Sequence, residues 1–228
     1  FLPRPPPSLK LHTLEQEERA DLNSIIIISY YKIIIKCKDS VKKSKKYKRR
    51  TFMETQNFVI RETRFSDYEY FTKWECDENI TKYMSFDENR SYEDVVTEAL
   101  YSKKDPTKLD YTIVARENGK PVGRIYITRI DRNFDSLDIT RFYIGESSLW
   151  GNGLGREIMH ELLEYCFTFL HMERVTLDHY AGNRRGAALY ERLGFKDEGT
   201  ARNAAKKDGK YYDLHLMSIL RSEFFDEN

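Results

Sequence analysis

The chain has little of what marks several familiar protein classes. Its three cysteines, Cys37, Cys76 and Cys166, stand in no paired spacing, which excludes a disulfide framework and leads us to expect a reducing, cytoplasmic setting. His160, His171 and His215 have no metal-ligand spacing, so no metal site is expected. No apolar run approaches the roughly 20 residues of a membrane span. The Ile25–Ile28 and Ile33–Ile35 runs are broken by Ser29, Tyr30, Tyr31 and Lys32, and they do not read as a processed signal peptide. A net charge of +1 over 228 residues excludes a strong field of one sign for the whole chain, but it conceals a division. Residues 1–52 carry +8 and residues 53–228 carry −7. The acidic body argues against a duplex nucleic-acid surface and would suit a basic small molecule or a peptide amine.

The first 52 residues look foreign to the rest. Pro3, Pro5, Pro6 and Pro7 precede an Ile- and Tyr-rich patch, then a basic run over residues 41–50. Such a run can bind nucleic acid or anionic lipid, and the Ile cluster could pack as an ordered extension. We expect instead a basic, Ile-rich leader over 1–52, poorly ordered or a translated upstream stretch, with Met53 opening one domain over 53–228. That length can hold one good hydrophobic core.

Glycine is sparse, 11 residues in all, yet three alternate within Leu149-Trp-Gly-Asn-Gly-Leu-Gly-Arg156. Immediately after them Ile158, Met159, Leu162, Leu163, Cys166, Phe167 and Leu170 recur at three- and four-residue spacing, the period of an amphipathic helix. Glycines at a helix entrance let backbone N–H groups converge where unpaired amides and the helix dipole already favour an anion. The simplest chemistry is a phosphate site. It is neither a Walker loop, which needs Lys-Ser or Lys-Thr after the glycines, nor the G-x-G-x-x-G dinucleotide register.

The rest of the body reads as a strand over residues 58–64, a helix from a Ser66/Glu69 capping box to Cys76, and a second from Ser91/Asp94 to Lys103. Strands follow over 110–116, 121–130 and 137–144, the first two joined by a tight Asn118-Gly119 turn. After the glycine-headed helix come a strand over 174–180, a short helix over 183–193, extended chain from Gly194 and a closing strand over 211–220. The order β-α-α-β-β-β-α-β-α-β-β predicts an α/β fold, a mixed central sheet flanked by helices.

Three segments together carry a resemblance: the strand Asp138–Ile144, the loop Trp150-Gly-Asn-Gly-Leu-Gly155, and Asn183-Arg-Arg-Gly-Ala-Ala-Leu-Tyr-Glu-Arg-Leu-Gly-Phe195. Both order and spacing resemble the Gcn5-related N-acetyltransferase (GNAT) family over about Phe58 to Phe224. The tail from Gly194 through Met217 resembles the branch acting on ribosomal-protein N-termini and polyamines. The resemblance implies acetyl-CoA as donor and a primary amine as acceptor: a protein N-terminus, a polyamine or a small basic metabolite. A homodimer is compatible with it, and a noncatalytic acyl-CoA-binding module is the rival reading. It also implies direct transfer in a ternary complex; Cys166, on a core-facing stripe, is unsuited to an acyl-enzyme.

Residue by residue, the resemblance gives Gly151, Asn152, Gly153, Leu154, Gly155 and Arg156 to the CoA pyrophosphate, with Trp150 standing where the motif usually has Gln or Arg. The backbone of Phe142, Tyr143 and Ile144 would meet the pantetheine arm and the oxyanion. Asn183 would contact the pantetheine end while capping its helix, and Arg185 would reach an adenine-side phosphate. Tyr190 would protonate the departing thiolate. For the base, Asp138 and His179 are the candidates, ahead of Glu78 and Asp87, with a water chain as an open alternative to any side chain. The loops over 80–89 and 200–210 should choose the acceptor.

Overall fold

The structure, a computed structural model, describes residues 52–84 and 90–226. The expected leader lies outside these residues except for Phe52. That residue opens a short strand the sequence pattern did not disclose, β1 (Phe52–Glu54), antiparallel to β2 (Phe58–Glu62).

A 3₁₀ turn, Phe65–Asp67, leads into α1 (Tyr68–Glu75). The expected Ser66/Glu69 capping box is not what starts it. Asp67, 2% exposed, accepts from the Arg64 N–H at 2.8 Å, from Arg61 at 2.6 Å and from the Thr112 hydroxyl at 2.8 Å. Partners on β2 and β3 thus select a carboxylate one residue on from the local signal. A single turn, α2 (Glu78–Thr81), follows with Asp77 as its cap, then α3 (Tyr92–Lys104). Here the Ser91/Asp94 box forms as expected, each residue accepting from the other's backbone N–H.

Strands β3 (Leu109–Ala115), β4 (Pro121–Asp131) and β5 (Ser136–Ile144) make an antiparallel meander. Beyond it lie α4 (Leu154–Thr168), β6 (Arg174–Tyr180), α5 (Arg184–Glu191), the long hairpin β7 (Lys196–Lys207) and β8 (Lys210–Leu220), and a closing helix, α6 (Arg221–Asp226), also absent from the expected order. One eight-stranded sheet runs β1-β2-β3-β4-β5-β6-β8-β7, antiparallel except where β5 meets β6. The expected mixed sheet flanked by helices is the observed architecture.

Strand alternation sorts the side chains between two cores. Ile113, Ile125, Ile127, Val175 and Leu177 point toward α4, whose Ile158, Met159, Leu162, Leu163 and Cys166 are wholly buried against them. On the other face Tyr143 joins Tyr68, Phe71, Trp74, Val95 and Ala99 of α1 and α3.

The feature that makes a site is a failure of pairing. β5 and β6 are parallel partners only over Ser136↔Arg174, Leu137↔Val175 and Asp138↔Thr176. From Ile139 onward β5 parts from β6, and β6 continues its ladder with β8 instead.

Candidate functional site

Where the strands part, a cleft of about 800 Å³ opens, lined by β5 from Ile139 to Ile144, the end of β6, the head of α4 and one side of α5. The glycines at its α4 end are there for backbone reasons. Gly151 (φ +86°) and Gly153 (φ +78°) hold left-handed conformations that other residues adopt only with strain. Gly153 is the N-cap of α4, its carbonyl taking the Arg156 N–H at 3.0 Å. The opening amides of any such helix lack intrahelical partners and carry the positive end of its dipole. They border the cleft, and Arg156, Arg185 and Arg192 line it as well. The arrangement has what a polyphosphate requires.

Trp150 does more than replace a glutamine at the rim. Its indole Nε1 donates to the Ile144 carbonyl at 2.8 Å, tying the glycine loop to the last residue of β5. The Arg185 guanidinium lies over its ring, 5.2 Å from the centroid. At the head of α5, Asn183 caps the helix by accepting the Gly186 N–H at 2.9 Å. A side chain at 186 would strike Asn183 at 2.6 Å, so the cap requires that glycine.

Of the residues expected from sequence, Phe142, Tyr143, Ile144, Trp150, Gly151, Gly153, Leu154, Gly155, Arg156, His179, Asn183, Arg185 and Tyr190 line this cleft together. Asn152 and Asp138 are not among its lining residues. Asp138 is instead buried beyond the parting point, its carboxylate taken by Thr140 and Thr176 hydroxyls, each at 2.9 Å, and by Arg129 at 2.8 Å. Those engagements are what a structural carboxylate shows. Asp87 lies outside the described residues.

Tyr190 reaches the cleft from α5, its ring 6.0 Å from that of His179 and 5.9 Å from that of Phe195. Burial, and then the nearby Asp178 carboxylate, push its phenol up to about 12, so it keeps its proton at neutral pH. His179 is 7% exposed, with Nδ1 3.0 Å from the Tyr180 carbonyl. A carbonyl only accepts, so this contact is a hydrogen bond when Nδ1 carries the hydrogen, which leaves Nε2 as the ring's other polar atom. The His215 ring lies beside it, tilted by 32° with centroids 5.3 Å apart.

Asp178 is a lining residue that sequence reading missed. Crowding by neighbouring atoms and the like charge of Asp138 raise its carboxyl. Period-two alternation along β6 could not have found it: Asp178 and His179 point to opposite faces, yet both line the cleft because it opens along the edge of β6 that β5 leaves. Elsewhere along the cleft, Ile80, Tyr83 and Met84 form a largely apolar wall, and Lys207 at the tip of the β7–β8 hairpin donates to the Thr81 carbonyl at 2.9 Å.

Behind the cleft lies a buried ionic chain. Arg124, unexposed, makes a two-pronged contact with Asp110 at 2.9 Å per bond and reaches Glu75 Oε1 at 2.7 Å. Glu75 Oε2 takes Arg90 at 3.0 Å; Arg90 also pairs with Glu98, which meets Arg141 at 2.8 Å. Arg90, Arg124 and Arg141 thus offset Glu75, Glu98 and Asp110. Burial alone would pull the Arg124 pKa down, but Asp110 and Glu75 outweigh it and hold the guanidinium ionised. Burial likewise pushes the Glu98 carboxyl up, and Arg141 and Arg90 reverse it to a net lowering.

Among the described residues no three His, Cys, Asp or Glu side chains gather as a metal would require, and no helix is long and apolar enough to cross a membrane. A family model described as acetyltransferase (GNAT) domain matches residues 57–196. An uncharacterized N-acetyltransferase, p20 of Bacillus licheniformis, is 23% identical over 75% of this chain and 96% of its own. The L-amino acid N-acetyltransferase of Escherichia coli K12 is 31% identical over 48% of this chain and 67% of its own. Among solved structures, the spermidine N-acetyltransferase of Vibrio cholerae, crystallised with CoA and spermine, superposes with a TM-score of 0.69 at 20% identity, covering 75% of this chain and 99% of that one.

Proposed function

The chain belongs to the GNAT family of acetyltransferases, and on that footing we propose how its cleft works. It is an enzyme that moves an acetyl group from acetyl-CoA to an amine. The observation that carries the site assignment is the parting of β5 from β6 between a glycine-headed helix and Tyr190. We assign the CoA pyrophosphate to the amides from Gly151 to Arg156, with Arg185 and Arg192 beside it. The pantetheine arm lies along the free edge of β5, using backbone groups of Phe142 to Ile144, and Asn183 contacts its far end. An N–H of that edge meets the carbonyl oxygen as it becomes an oxyanion.

The amine attacks as its free base, forming the C–N bond; collapse of the tetrahedral intermediate breaks C–S and expels the thiolate. Tyr190, with its phenol pushed up to about 12, donates a hydrogen bond to that sulfur. An ordinary thiolate, of pKa roughly 8.5, is the weaker base, so the phenol supports departure while the proton shed by nitrogen balances the charge. His179 Nε2 takes the nitrogen's proton, in preference to Asp138, whose carboxylate is already engaged. The acceptor, a small-molecule amine or a protein N-terminus, enters past Ile80, Tyr83 and Met84. The E. coli and V. cholerae relatives, by their names, act on L-amino acids and spermidine; both belong in the first acceptor screen.

Tyr190→Phe tests the assignment. It keeps the packing and removes the donor, so kcat should fall roughly 10²-fold with little change in CoA affinity. A kcat within about threefold of wild type when chemistry limits turnover would make Tyr190 a packing residue. Gly153→Glu sets a like charge beside the pyrophosphate on a strained backbone; CoA affinity measured by calorimetry should drop sharply, and an unchanged value would move the cofactor elsewhere.

A further inference from the structure

The segment of β5 that faces the cleft is held by its own sheet on one edge only, where Arg141 to Ile144 pair with β4. It has no β6 partner after Asp138. On its β4 side the register slips around Thr140, from Tyr126↔Arg141 to Ile127↔Ile139. A strand paired on one edge, with a bulge at the start of that pairing, bends and twists more readily than one paired on both. Further restraint comes from the α1–α3 face. The Tyr143 hydroxyl donates to Glu75 Oε1 at 3.0 Å, the oxygen that also takes Arg124. Two residues away Arg141 is held by Glu98, which shares Arg90 with Glu75. Trp74, the neighbour of Glu75, lies so close over Gly145 that a Cβ there would come within 2.2 Å of its ring.

We propose that Glu75 is a positioning residue for acetyl transfer: its carboxylate, itself fixed by Arg124 and Arg90, grips Tyr143 and holds the free edge of β5 in the shape that receives the pantetheine arm and thioester. The inference rests on the assignment of that arm to β5. A stability role explains the chain of charges poorly, because buried ion pairs recover little beyond the cost of desolvating them, and apolar side chains could fill the same volume. Hydrogen bonds fix direction as well as distance, which apolar contact does not.

Tyr143→Phe deletes only the hydroxyl, and Glu75→Gln weakens the grip at constant shape. Each is measured for kcat and for binding of two probes, CoA and 3′-phospho-ADP, which is CoA cut before its pantetheine arm. Because sub-ångström misplacement at a reacting centre is costly, Tyr143→Phe should lower kcat about tenfold and CoA affinity several-fold, with 3′-phospho-ADP within about twofold of wild type. Glu75→Gln should move the same quantities further in the same direction; if it does not fold, Tyr143→Phe decides alone. A folded Tyr143→Phe with wild-type kcat and CoA affinity overturns the proposal, as does an equal loss for both probes, which would mean general loosening. If wild-type protein binds 3′-phospho-ADP as tightly as CoA, the arm gains nothing from β5, and the site assignment falls together with the proposal.

Discussion

The two faces of this sheet are built by different means. Toward α4 the buried side chains are aliphatic: Ile158, Leu162 and Leu163 against Ile113, Ile125 and Ile127. Toward α1 and α3 the same strands send Arg124, Tyr126 and Tyr143 inward, and the core there is aromatic and ionic. Apolar burial is strong and non-directional, so it makes a firm floor without dictating where any one atom sits. The ionic face contributes less net stability and more geometry, and it backs the part of β5 that has a neighbouring strand on one edge only. A molecule can therefore separate the question of staying folded from that of holding a strand edge still.

The largest effect that would test this contrast is Arg124→Leu. It leaves Asp110 buried without its ion-pair partner and Glu75 with Arg90 alone, and should cost about 3–5 kcal/mol and depress turnover even in molecules that remain folded. Denaturant titration paired with kcat checks both. Leu162→Ala, on the opposite face, should cost about 2–5 kcal/mol by leaving a cavity, yet kcat per folded molecule should stay close to wild type. Comparable losses of kcat in both variants would erase the distinction.

Acid should expose a subtler difference. Glu98 and Asp67 have folded pKa values below their unperturbed 4.5 and 3.8, because arginine partners and hydrogen bonds outweigh burial. Their contribution is fully present above those values and is lost as pH falls through the lower folded ones. Protection of backbone amides from hydrogen exchange, taken relative to the intrinsic rate at each pH, should therefore fall below about pH 4 in α1 and α3 before α4; a uniform fall would mean that the two faces give way together. The smallest effect is chemical. Burial pushes the Cys166 thiol up to about 12, whereas Cys76 is exposed, so iodoacetamide at pH 8 should label Cys76 and spare Cys166 until the protein unfolds. Mass spectrometry of the labelled peptides reads it.

What could be read in the sequence was what is local. The strand over 174–180, the Ser91/Asp94 cap and the stripe of α4 all depend on residues a few positions apart, and each appears as the spacing implied. The start of α1 did not, because Asp67 is chosen by Arg61 and Thr112 on neighbouring strands. β1 was hidden beside the basic run, where only its pairing with β2 identifies it. Within the site, the glycine loop and Asn183 announce themselves by backbone needs. Asp178 and Glu75 do not: the first depends on where β5 leaves the edge of β6, the second on Arg124 and Tyr143, which lie far along the chain.

The chain has only two tryptophans. Both sit at the exit of β5: the Trp74 ring lies over Gly145, and the Trp150 indole donates to the Ile144 carbonyl. One indole is 2% exposed and the other partly open beside the Arg185 guanidinium. Intrinsic emission from this protein is therefore an optical report on one short stretch of main chain rather than an average over the molecule, with a shielded and a solvent-touched fluorophore viewing the same peptide groups from two sides.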